Sequence, residues 1–344
     1  MADALVSPAV GGAMWAATGL TIGWCAKKVR EELDDRKVPL MGVLGAFIFA
    51  AQMINFTIPG TGSSGHLGGG MILSILLGPY AAFIVIASVI TVQALFFADG
   101  GLLALGCNIF NMGAFPAFVA YPLLYRRIAG RNPTPGRIAA ASLFSAVVSL
   151  QLGAFAVVVE TVLSGISALP FGTFVALMQP IHLGIGIVEG LVTAAVVTFV
   201  WKAQPGIVGQ AGPGPAAGGR SSRKLVVGLG LAALIIGGAL SWFASVHPDG
   251  LEWSIAKITG KGRLPGEAGG LHGTAAGIQR RSAILPGYGF NKGATPAQGK
   301  GDTPPAPARP VVDAGRSLAG IVGGAITLAV AVAAGFLLRK KKPR

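Results

Sequence analysis

"LGGGMILSILLGPYAAFIVIASVITVQALFF", residues 67–97, runs for 31 residues without a charged side chain. One helical crossing of a bilayer takes about 20 apolar residues, so this run is too long for one span and short for two. Gly78-Pro79 breaks it, because proline has no N–H to donate and its ring crowds the preceding turn. The neighbouring charges decide the count. The next apolar block, 106–124, ends at Arg126, Arg127, Arg131 and Arg137, and short basic loops mark the cytoplasmic side. Residues 99–103 are then expected outside, which makes the run two crossings, the first covering little more than 67–77.

Working outward, similar apolar blocks occupy residues 8–26, 40–58, 138–163, 173–201, 225–245 and 317–338. The basic runs "KKVREELDDRK" (27–37) and "RKKKPR" (339–344) anchor the inner side. The expectation is an all-α, polytopic membrane helical bundle of about nine spans, with the N-terminus outside and the C-terminus inside. It divides into a seven-span front module (1–201), a cytoplasmic Gly/Pro-rich linker (202–224) and a two-span rear module (225–344). The rear module carries a long external loop, 246–316. It holds nine lysines and arginines despite its expected position, and its "GDTPPAPARP" reads as mostly disordered tether.

Composition agrees with a membrane protein: 52% of residues are hydrophobic and 12% charged. Mean hydropathy is +0.67. That balance argues against a soluble domain. The net charge of +14 sits at the ends of apolar blocks, so it reports orientation rather than nucleic-acid binding. Cys25 and Cys107 lie in or beside apolar segments and supply neither a disulfide framework nor a cysteine metal cluster. "MADALVSP" at the start has no basic n-region, so no cleaved signal peptide is expected.

Just ahead of the deciding run lies "PGTGSSGHLGGG" (59–70). Gly60, Gly62 and Gly65 fit G-x-G-x-x-G, yet a membrane span precedes them and no acid follows before Asp99. A dinucleotide fingerprint needs a strand before, a helix after and an acidic residue about 20 positions on. A phosphate loop fails too, for want of Gly-Lys-Ser or Gly-Lys-Thr. Two readings of His66 stay open at this level: a plain loop histidine, or an imidazole brought close to a small ion by flexible glycines.

"ADALVSP", "AAQMINFTIPGTGSSGHLGGG", "VQALFFADGGLLALGCNIFNMG" and "QPIHLGIGIVEGLVT" together resemble the CbiM/NikM family. These are substrate-binding membrane components of energy-coupling factor (ECF) transporters for cobalt and nickel. "HPDGLEWSIAKITG", just after a span, resembles the two-span CbiN/NikN partner with its Pro-Asp-Gly-Leu-Glu signature. The resemblance implies that the metal is held by the free terminal amine, a main-chain amide, a histidine at the second position and the loop histidine. On this chain those map to Met1, as terminal amine if it is the true start, and to His66. Imidazole suits both ions, and nickel(II) favours tetragonal nitrogen ligation. The second residue here is Ala2, so a Met-His pair is expected ahead of Met1, the start being assigned two residues late.

Asn55, Asp99, Asn108 and Asn111 are uncommon in or beside spans. They read either as packing glue or as a shell around the terminal segment and the histidine loop. His182 and Glu189, seven residues apart, share a helix face and read as an intramembrane network. Glu160 reads as interfacial. His247, Asp249 and Glu252 read as a turn and an amphipathic helix start docking on the front module rather than as metal ligands.

The function expected is capture of Ni2+ or Co2+ as transported substrate outside a prokaryotic cytoplasmic membrane, cobalt supply serving cobalamin biosynthesis. No prosthetic group and no enzymatic activity are expected. The chain has no ATP-binding loop, so the resemblance implies a transmembrane coupling protein (CbiQ/NikQ-like) and ABC ATPase subunits (CbiO/NikO-like) as partners. A stand-alone proton-coupled secondary metal transporter, with His182 and Glu189 as relay, is the alternative. A membrane assembly factor for cobalamin synthesis is a third reading.

Overall fold

The computed structural model describes residues 1–32, 37–167, 169–208, 219–261, 264, 269–290 and 312–339. The polar centre of the expected linker, the segment 301–311 and the basic tail 340–344 lie outside them.

The chain is a helical bundle. α1 (Pro8–Glu32) leads to α2 (Val38–Gln52), a helix buried along nearly its whole length and apolar on all sides. A helix apolar all round belongs in an interior, and α2 packs against the helices at 70–77, 79–97, 219–238 and 314–338. A short hairpin, β1 (Phe56–Ile58) and β2 (Ser63–Gly65), follows and adds a two-stranded sheet to an otherwise helical protein. α3 (Gly70–Leu77) and α4 (Pro79–Phe97) meet at Gly78, whose φ of 87° and the proline after it make the break expected from sequence.

α5 (Leu105–Ala129) has π-helical geometry over Phe115–Tyr125, where Pro116 and Pro122 remove main-chain donors. α6 (Pro135–Ser164) and α7 (Phe171–Ala203) pack against each other closely. A Cβ at Gly186 would lie 2.9 Å from the Val147 Cα, and one at Gly190 2.6 Å from the Leu143 Cα. Small residues permit such approach where lipid supplies no hydrophobic drive.

The rear part consists of α8 (Gly219–Gly238), α9 (Gly250–Thr259), α10 (Gly270–Ser282) and α11 (Ala314–Leu338). α8 and α11 cross where Gly237 and Gly320 meet main chain to main chain. Both pack on α2: Gly42 and Gly45 of α2 accept Leu328, Val332 and Thr327 of α11, and Gly323 lies on the Phe49 ring.

Two expectations need correction. Among the described residues five helices are long and apolar enough to cross a membrane, not nine: α4, α5, α6, α7 and α11, with α2 apolar but shorter. The expected crossing at 67–77 is α3, of eight residues, or about 12 Å at 1.5 Å per residue. Residues 53–69, counted partly into spans, form the hairpin and a loop instead. The loop 246–316, read as mostly disordered tether, carries α9, α10 and a single turn at Pro286–Tyr288.

Candidate metal site

Two arms of the chain carry the candidate ligands. The first carries His66. Gly60 and Gly62 have φ of 77° and 74°, the left-handed turn positions between β1 and β2, and Gly65 leaves room for the Ile185 side chain of α7. The three glycines of the G-x-G-x-x-G match therefore serve a hairpin and its packing.

Beyond the hairpin the loop is held by Glu189 and by Gln52, which Gln93 supports. Glu189 accepts the Gly68 N–H at 2.7 Å through Oε2 and the Gly69 N–H at 3.0 Å through Oε1. Gln52 donates to the Gly68 carbonyl at 2.8 Å, and Gln93 donates to Gln52 Oε1 at 2.8 Å. Glu189, Gln52 and Gln93 are all buried. His66 stands half-buried at the edge of this network, its Nδ1 3.1 Å from the Leu67 carbonyl. With the proton on Nδ1, donated to Leu67, the lone pair lies on Nε2 and is available to a metal.

The second arm is the terminal segment. The Met1 carbonyl accepts from the Gly101 N–H and from Asn108 Nδ2, each at 3.1 Å. Asp3 Oδ1 accepts the Ala104 N–H at 2.9 Å, at a place where a Cβ on Gly101 would run into Asp3. Asp3 is thus a lock on the loop rather than a substitute ligand. Residues Asp3–Leu5 form one 3-10 turn, and Leu5 and Val6 are buried.

Met1 packs in the cluster that contains Met178. One turn on, His182 Nδ1 lies 2.8 Å from the Met178 carbonyl, and His66 and Asp249 are both within electrostatic range of His182.

The sequence-selected residues separate here. Asn108 reaches the terminal segment. Asn111 instead donates to Glu160 at 2.8 Å. Asp99 accepts from the Tyr288 hydroxyl at 2.6 Å, and the Asn55 carbonyl accepts the Ser245 N–H at 2.7 Å, so both tie front to rear. His182 and Glu189 share a helix face but bind different partners, which does not favour a proton relay between them. Glu160, expected at an interface, is buried. It bonds Asn111 and Cys107 and lies within electrostatic range of the Met1 amine.

The turn at 247–250, expected to dock on the front module, does so on the hairpin that leads to His66. Ser64 of β2 donates its N–H to the Pro248 carbonyl at 2.8 Å and its hydroxyl to the His247 carbonyl at 2.8 Å. Asp249 caps α9 by accepting the Glu252 N–H at 2.8 Å. A side chain at Gly250 would meet Ile181 and His182. The Pro-Asp-Gly turn had been readable as a helix start. Its seat on the His66 hairpin had no signal in the sequence.

Residues 1–207 match the sequence profile of the CbiM family, described as the cobalt uptake substrate-specific transmembrane region. The chain belongs to this family. Residues 223–340 match the PDGLE domain. A Haloquadratum walsbyi protein named for metal transport is 37% identical over 208 residues, 60% of this chain and 91% of the relative. The fused nickel transport protein NikMN of Rhodobacter capsulatus is 29% identical over 311 residues, 83% of this chain and 87% of the relative. The crystal structure of a truncated transition metal transporter superposes with a TM-score of 0.53 at 31% identity, covering 59% of this chain and 98% of that one. CbiM membership and the bundle make this a multi-span membrane transport component.

Proposed function

We infer that this chain is the substrate-binding membrane component of an ECF-type importer that captures nickel or cobalt ions at a prokaryotic cytoplasmic membrane. The observation that carries the reading is the fixing of two elements by hydrogen bonds: the Met1 main chain by Gly101 and Asn108, and the His66 loop by Glu189 and Gln52. Among the described residues no three or more His, Cys, Asp or Glu side chains gather to hold a metal. Ligation then draws on nitrogens of the main chain and terminus together with the His66 imidazole, a donor set that suits nickel(II) and cobalt(II). Met1 supplies the amine where it is the true start.

The same reading divides the chain into a front module (1–201), a linker (202–224) and a rear module (225–344), fused as in the Rhodobacter capsulatus relative, whose name favours nickel. It places the metal arms outside and the C-terminus inside, supported by the basic runs at 27–37 and 339–344. A transmembrane coupling protein and ABC ATPases complete the importer, since the chain carries no ATP-binding loop.

The test is metal analysis and titration of the purified chain, N-terminus verified, against His66→Ala. Stoichiometric nickel or cobalt in the parent and none in the variant supports the reading. Uptake into vesicles by this chain alone on a proton gradient would overturn the ATP-driven assignment.

A further inference from the structure

α10 reaches the terminal segment from the far end of the sequence. His272 is 4% exposed, and its Nε2 lies 2.9 Å from the Val6 carbonyl oxygen. Gln279 and Ser282 follow seven and ten positions later on the same helix face. Gln279 Nε2 donates to the Ala94 carbonyl at 2.9 Å and to the Gly100 carbonyl at 2.7 Å, and Ser282 Oγ donates to the Leu95 carbonyl at 2.7 Å. Just beyond, the N–H groups of Ile284 and Leu285 donate to the Phe96 carbonyl at 3.0 and 3.2 Å.

The carbonyls of Ala94, Leu95 and Phe96 lie in the last turn of α4, where an α-helix has no partner for them within itself. Gly100 adjoins Gly101, whose N–H holds Met1. A row of donors on α10 and the chain after it therefore caps α4 and braces the loop in front of the terminal segment, while His272 holds that segment from behind.

We propose that His272 is a positioning residue for metal binding: its Nε2–H donates to the Val6 carbonyl and fixes the terminal segment in place, slowing release of the ion. The proposal rests on the reading above, in which that segment supplies metal nitrogens. A carbonyl oxygen only accepts, so the imidazole must present a proton at Nε2. Val6 is fully buried, and without this donor the segment shifts to find another partner for its carbonyl.

The test uses the purified full chain with His272→Ala, His272→Phe, which fills the space without a donor, and His272→Gln, which restores one. Amide hydrogen exchange over residues 2–6 and the rate of Ni2+ or Co2+ transfer to a chelator are measured on each. Loss of one hydrogen bond predicts that exchange and metal release both quicken about five- to tenfold in the Ala and Phe variants. The Gln variant recovers both, and protection in α6 and α7 is unchanged. Parental exchange and release in the Phe variant overturn the proposal. A parent that takes up neither ion overturns the functional reading itself, and exchange at residues 2–6 then decides alone whether His272 fixes the segment.

Discussion

Glu189 Oε2 lies 2.7 Å from the main-chain nitrogen of Gly68, and the other carboxylate oxygen takes the Gly69 N–H at 3.0 Å. A carboxylate deep in a 33-residue helix thus holds the loop that presents His66. Replacing it by alanine leaves two buried N–H groups without their acceptor, at about 1–3 kcal/mol each. Glu189→Ala is expected to lower thermal stability in detergent and to weaken nickel binding, with Glu189→Gln intermediate because it keeps one acceptor oxygen. Parental affinity in Glu189→Ala, read by calorimetric titration, would refute the loop-holding role.

His66 itself is half-buried and its side-chain hydrogen bond is to the neighbouring Leu67 carbonyl, so His66→Ala should fold as the parent does. Metal affinity should fall by about a hundredfold or more, since loss of residues that only support ligands already costs 10–100-fold. In the parent, binding should release protons and weaken as the solution is acidified, because imidazole and amine ligate only when deprotonated. Equal proton release by parent and variant in buffers of different ionisation enthalpy would show that His66 is not a ligand.

What the sequence disclosed here follows from where each signal resides. Long apolar blocks and the Gly78-Pro79 break are local, so α4, α6, α7 and α11 were readable to within a few residues. The count of crossings was not. Apolar content cannot distinguish α3, eight residues buried in protein, from part of a span exposed to lipid. Of the four polar residues singled out, Asn108 bonds the terminal segment. Asp99 and Asn55 bond residues 189 and 190 positions later, and no periodicity encodes such a pairing. His272 gave no sign of itself for the same reason.

Gly101 offers a steric test of the terminal arm. A Cβ there would occupy the place of the Asp3 carboxylate and main-chain nitrogen, while the Gly101 N–H holds the Met1 carbonyl. Overpacking of this kind costs about 1–3 kcal/mol, and here the short 3-10 turn is what can yield. Gly101→Ala should leave the bundle intact and lower metal affinity roughly tenfold or more, by the same energy. A spin label at residue 2 should become more mobile. An immobile label with unchanged affinity would show that the loop, not the terminus, gives way.

The contact between Tyr288 and Asp99 provides a pH test of the rear brace. Tyr288 has a left-handed backbone, φ 61°, a conformation that costs a residue with a side chain about 1–2 kcal/mol. It is kept by the 2.6 Å hydrogen bond to Asp99 and by stacking on Phe97, with ring centroids 5.0 Å apart. Burial, reinforced by the Asp99 carboxylate, holds the phenol well above its ordinary range. The folded chain therefore keeps this proton more tightly than the unfolded one. Its stabilising effect is complete below the unfolded value of about 10 and fades as pH rises through the folded value. Tyr288→Phe should melt lower than the parent at pH 7 to 9, and the gap should narrow above about pH 10. A gap that stayed constant to pH 11.5, or that widened, would show that the hydroxyl does not brace this end of the protein.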